Sequence, residues 1–170
     1  MDMLQVGILT IFPALLAFAA ASDLLTMTIP NRVSLLLIAG FFVFAGLLGM
    51  APATIALHLA CALCVLAATF GMFAMGWMGG GDAKLAAATA LWLGFAPLLE
   101  FLLATSFFGG ALTVGILLLR GQPLPAFALA WPWAFNLHHP KTGIPYGIAL
   151  SAAGLLVYPT SPLWRLAVQV

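Results

Sequence analysis

Two aspartates stand out in a chain that carries almost no charge. Asp82 follows Gly79, Gly80 and Gly81 and precedes Ala83 and Lys84, so the stretch GGGDAK breaks a run of apolar residues. Asp23 closes the first apolar stretch, 59 positions earlier. Two carboxyl groups held close in a poorly solvated site cannot both ionise easily, so they share one proton and titrate as a unit. Such a pair can cleave a peptide bond. Its ionised member takes a proton from an attacking water, and its protonated member hydrogen-bonds the carbonyl oxygen where charge develops. Glycines beside the pair have a matching task, because a backbone without Cβ atoms can approach an unwound substrate closely and adopt positive φ.

Each residue also has a plainer use. Asp82 can cap the helix that starts after the glycines, and the glycines can serve only as a flexible loop. Asp23 fits a structural role less well, because the carboxyl end of a helix carries partial negative charge that disfavours an acid. Lys84 can pair with the acids, position a substrate, or extend its ammonium to the membrane interface. Asn31 is a candidate helix cap. Cys61 and Cys64 form a C-x-x-C inside an apolar span, with no second pair to complete a zinc site, and are expected to pack as small apolar residues. His138 and His139 are expected to be loop residues rather than ligands. No metal and no cofactor are expected.

The elements that must position the two acids follow from composition. Of 170 residues, 65% are hydrophobic and 5% charged, which is the signature of an integral membrane protein and argues against nucleic acid as a partner. A bilayer core of roughly 30 Å takes about 20 helical residues. Six stretches approach that length: Gln5 to Ser22, Val33 to Gly49, Thr54 to Trp77, Ala83 to Gly94, Leu98 to Leu119 and Gly143 to Tyr158. The predicted fold is therefore an all-α bundle of six transmembrane helices in one polytopic domain, residues 1–170. The first apolar segment lacks a preceding positive charge, so it is expected to be a retained helix rather than a cleaved signal. Breaks come from Ile29-Pro30-Asn31, Met50-Ala51-Pro52 and Ala96-Pro97. The segment from Gly121 to Pro140, with four prolines, predicts an irregular or interfacial loop in which Trp131 and Trp133 anchor at headgroup level.

If all six spans cross, the loops alternate sides. Arg32, Lys84, Arg120 and Lys141 then share one side, with only Arg165 on the other. The positive-inside rule makes the first side cytoplasmic, with Asp2, Glu100 and both termini non-cytoplasmic. Asp23 and Asp82 fall together on the cytoplasmic side. The fourth span is short, which draws Asp82 below the membrane surface, where an ionisable residue suggests function.

These motifs resemble the type IV prepilin peptidases, the GxGD intramembrane aspartic proteases. The resemblance rests on Ser22-Asp23 followed by Ile29-Pro30-Asn31, on Gly79-Gly80-Gly81-Asp82-Ala83-Lys84-Leu85, and on Ile144-Pro145-Tyr146-Gly147 opening the last helix, and it covers nearly the whole chain. It implies that Asp23 and Asp82 are catalytic. It further implies a substrate, a prepilin or pilin-like protein, whose leader is cut at the cytoplasmic face of the bacterial inner membrane. Bifunctional members carry a large cytoplasmic insert with paired C-x-x-C motifs and methylate the new pilin terminus. The stretch from Asp23 to Arg32 is too short for that insert, so the chain is similar to the short form serving Flp or tight-adherence pili. Two other classes compete: a small ion- or proton-coupled transporter using intramembrane acids, and a noncatalytic subunit of a pilus or secretion assembly.

Overall fold

The computed structural model describes residues 3–123, 131–140 and 142–169. Asp2 and Lys141, both assigned a membrane side from the sequence, lie outside the described residues, as do residues 124–130 of the expected loop. Helices carry the described chain: α1 (Met3–Thr26), α2 (Asn31–Leu47), α3 (Pro52–Ala74), α4 (Gly80–Leu93), α5 (Leu98–Arg120), α6 (Pro132–His138), α7 (Tyr146–Val157) and α8 (Pro162–Gln169). Every one of the six expected spans coincides with a helix. Segments Gln5–Thr26, Pro52–Ala74 and Leu98–Arg120 are long and apolar enough to cross a membrane, and Asn31–Leu47 and Tyr146–Thr160 are shorter apolar helices.

The first helix runs one turn further than expected, so Asp23 sits within the last turn of α1 rather than beyond it. Two elements were not foreseen. The segment from Gly121 to Pro140 contains α6, started by Pro132 at a position where a missing N–H costs nothing. Beyond Tyr158, α8 folds back on α1 and buries Leu163 and Ala167 while Arg165 stays exposed.

At the centre stands α4, which packs on α2, α3 and α7. Leu85 through Leu93 are all buried. A helix apolar all round belongs in the interior, and Ala86, Ala87, Ala88 and Ala90 let neighbouring backbones come close. The helix stops after 14 residues. Gly94 takes φ 75°, and a Cβ there would lie 2.9 Å from Cε1 of His58. His58 Nδ1 lies 2.7 Å from the Leu91 carbonyl, one of the acceptors a helix end leaves without an intrahelical partner. Buried His58 on α3 therefore finishes α4, stacked on Phe41. Cys61, one turn along α3, is buried as expected, whereas Cys64 is exposed rather than packed inside.

Bonds between helices give their directions. Asp23 of α1 meets Gly147 of α7 at one end of the bundle, and Tyr158 donates its hydroxyl to the Ile8 carbonyl at the other, 3.0 Å away. Hence α1 and α7 are antiparallel. Lys84 meets Asn31, which places the starts of α2 and α4 together, while Thr69 and His58 of α3 meet Ala83 and Leu91 of α4 in antiparallel order. Phe12, Trp92 and Tyr158 stack in the middle, with Phe12 centroids 4.9 and 4.3 Å from the other two rings.

Candidate active site

The end of α1 is held by its own side chains. Thr26 donates its hydroxyl to the Ser22 carbonyl, and Ser22 donates to the Thr28 carbonyl at 2.9 Å. Between them Met27 takes φ 54°, a left-handed conformation that costs a non-glycine residue roughly 1–2 kcal/mol. Its N–H bonds the Asp23 carbonyl at 2.8 Å, closing the helix. This reversal turns Ile29 inward, where it is buried, before Pro30 fixes the entry to α2.

Asp23 itself is 5% exposed, and the Gly147 N–H donates to its Oδ2 at 2.7 Å. Gly147 is the second residue of α7, so this N–H is one of the donors that a helix start leaves free. The acid that the end of its own helix disfavours is thus bonded to the positive end of another. No Cβ fits at Gly147: it would lie 2.8 Å from Asp23 Oδ2 and 2.8 Å from Ile29 Cδ1. Arg120, ending α5, steadies the approach to this turn by donating to the carbonyls of Leu137, Thr142 and Gly143.

Asp82 is the third residue of α4, whose N-cap is Gly79. It is half-buried, and its carboxylate turns back toward Gly79. A Cβ at Gly79 would lie 2.8 Å from Asp82 Oδ2. Gly80 lies under the Phe73 ring, 3.3 Å from where its Cβ would be, and Gly81 meets Ile29 at 3.2 Å. The glycines therefore serve close approach. The expected positive φ is absent from all three; the positive-φ glycine of this connection is Gly76, at 74°.

Ile29 joins the two halves. It touches Gly81, next to Asp82, and Gly147, which holds Asp23. Asp23 and Asp82 thus approach Ile29 from its two sides, at one end of the bundle. Lys84, two residues on, points elsewhere: its Nζ donates to Asn31 Oδ1 at 2.9 Å. That bond also overturns the cap expected of Asn31, because Asn31 is already the first helical residue of α2 and Pro30 occupies the cap. His138 is the last residue of α6 and His139 its C-cap, so the loop expected around them is helical as far as His138. Among the described residues no group of three or more His, Cys, Asp or Glu comes together. Gly147 was not among the site residues expected from the sequence, although the motif containing it was visible.

A profile of the type IV leader peptidase family matches residues 10–114, which is more than half of the chain and includes both aspartates. The chain belongs to the type IV leader peptidase family. Membership makes it a protease, and its apolar helices make this leader peptidase a membrane protein. No curated protein and no solved structure matches the chain. Gly147, bonded to Asp23, lies beyond the matched segment of this leader peptidase.

Proposed function

We propose that the protein is an intramembrane aspartic endopeptidase that removes the leader of prepilin-like substrates through Asp23 and Asp82. The observation that supports this most is the convergence of two acids, from the end of α1 and the start of α4, at one end of the bundle around Ile29. One proton shared by the pair leaves one carboxylate to activate water and one carboxylic acid to hydrogen-bond the scissile carbonyl. Bonded through Oδ2 to Gly147, Asp23 keeps its other oxygen for water or its partner. The carboxylate of Asp82 lies against Gly79. Neither acid has to be recruited from solvent, which reduces the cost of reaching a reactive geometry.

Six spans are the arrangement in this proposal. The starts of α2 and α4 and the end of α5 carry Arg32, Lys84 and Arg120 at the end of the bundle where the acids meet, whereas Arg165 lies on α8. The positive-inside rule then turns the acids toward the cytoplasm of the bacterial inner membrane and both termini away from it. The compact connection between α1 and α2 leaves no room there for a further cytoplasmic domain, as in the short peptidases the chain resembles, and Flp-type prepilins are the substrate class that this resemblance implies.

The test is cleavage of a prepilin in membranes containing Asp23→Asn or Asp82→Asn protein at wild-type abundance. Loss of processing in both variants is expected, and full processing by either overturns the proposal. An ion flux that depends on Asp82, with no processing, would place the protein among transporters instead.

A further inference from the structure

Helices α2 and α3 both pack on α4 and, although Phe41 stacks on His58, leave a groove between them. Its floor is Ala87 and Ala88, and its volume is about 390 Å³. Along α2 it runs from Asn31 to Phe42, which is about 16 Å of helix.

Polarity within the groove is confined to one end. Lys84 and Asn31 stand at its mouth, where α2 and α4 begin, and the ammonium spends one of its three donors on Asn31. One turn deeper Ser34 is 6% exposed, and its Oγ has no hydrogen-bond partner. Everything further in is apolar, including Ile38 and Leu63 on the two walls. An orphaned buried hydroxyl is costly, and Ser34 lines a space that a membrane fills with lipid. The occupant such a groove suits has an anionic head, a hydrogen-bond acceptor one turn below it, and a flexible apolar tail.

We propose that this groove binds one anionic glycerophospholipid, its phosphate on Lys84, an ester carbonyl on the Ser34 hydroxyl, and one acyl chain laid between Ile38 and Leu63. The site lies on the side of α4 away from Asp82, since residues two apart on a helix point to opposite faces. It is therefore separate from the pair of acids, and the lipid would fill the space that α2 and α3 leave between them.

The test uses the full chain, purified in detergent and stripped of lipid, with palmitoyl-oleoyl phosphatidylglycerol as probe. Native mass spectrometry is expected to show one retained lipid, preferred several-fold over the phosphatidylcholine analogue. Lys84→Gln should remove that preference, and Ser34→Ala should weaken retention about five-fold. Narrowing the groove with Ile38→Trp or Leu63→Trp, both exposed positions, should lower retention tenfold or more. Ser34→Ala also gives a readout independent of binding: the lipid-free variant should melt at or above the wild type, because it no longer buries an unpaired hydroxyl, and should gain less when phosphatidylglycerol is added. Unchanged retention in the tryptophan variants overturns the proposal. So does a tryptophan variant that raises KM for a prepilin while holding lipid normally, which would give the groove to the substrate.

Discussion

The Gly147 N–H donates to Asp23 Oδ2 at 2.7 Å, joining the start of α7 to the end of α1 across 124 positions of sequence. No carboxylate in the last turn of α1 gains anything from its own helix; Asp23 gains a donor and a favourable dipole from α7. A glycine is required because Asp23 and Ile29 occupy the space of its side chain. Gly147→Ala should therefore displace Asp23 or Ile29, and a misplacement of about 1 Å at a reacting group costs on the order of 100-fold in rate. Prepilin cleavage in membranes measures the loss, and activity within threefold of wild type would contradict it.

Gly79→Ala tests the other acid by the same logic. Its Cβ would press on Asp82 Oδ2, so cleavage should fall by tenfold or more with little change in melting temperature. Gly71→Ala is the control. Nothing stands within 4 Å of that Cβ, and alanine in a helix interior is favoured over glycine by up to about 1 kcal/mol, so the variant should be active and no less stable.

Neutralising the acids should be non-additive. Asp23→Asn keeps an oxygen to accept from Gly147 and should fold, yet lose about 100-fold to 10,000-fold in cleavage, as should Asp82→Asn. The double variant should be no worse than either alone, because the two act as one unit. Single-turnover cleavage of a prepilin by purified protein measures all three, and losses that multiply would contradict a shared role.

Cleavage should follow a bell in pH. With one proton on the pair the site is active; acid adds a second proton and removes the base, while alkali takes the shared proton and removes the donor. A rate that rises with pH to a plateau would mean that only one ionised carboxylate matters.

The end of α4 should be sensitive without touching the acids. Gly94→Ala would force a side chain into a φ of 75° and against His58, so the melting temperature should fall by several degrees, corresponding to a cost of about 1–3 kcal/mol. Thermal unfolding in detergent, followed by tryptophan fluorescence, reads it.

Much of this protein is legible in one dimension. An apolar run long enough to span lipid has few alternatives to a helix, because hydrocarbon leaves the backbone no other partner, and prolines and glycines at 30, 52, 94 and 97 mark where the runs break. Hence all six expected spans coincide with helices, and Asp23 and Asp82 could be singled out as costly exceptions in an apolar chain. The short α4 was visible in the same way. Helix α8 was not, because the turn at Ser161 depends on Tyr158 packing against α1 and α8.

What only the tertiary structure decided is which distant groups meet. Asp23 finds its donor at Gly147, Ile29 wedges between Gly81 and Gly147, and Lys84 turns to Asn31. None of these follows from spacing, because in an antiparallel bundle residues become neighbours through helix length and rotation, which packing around α4 sets. The glycines beside Asp82 show the difference most directly. Sequence marks them as permissive, and the fold uses them for room rather than for positive φ, since a carboxylate, a phenyl ring and Ile29 already fill the positions of their missing side chains.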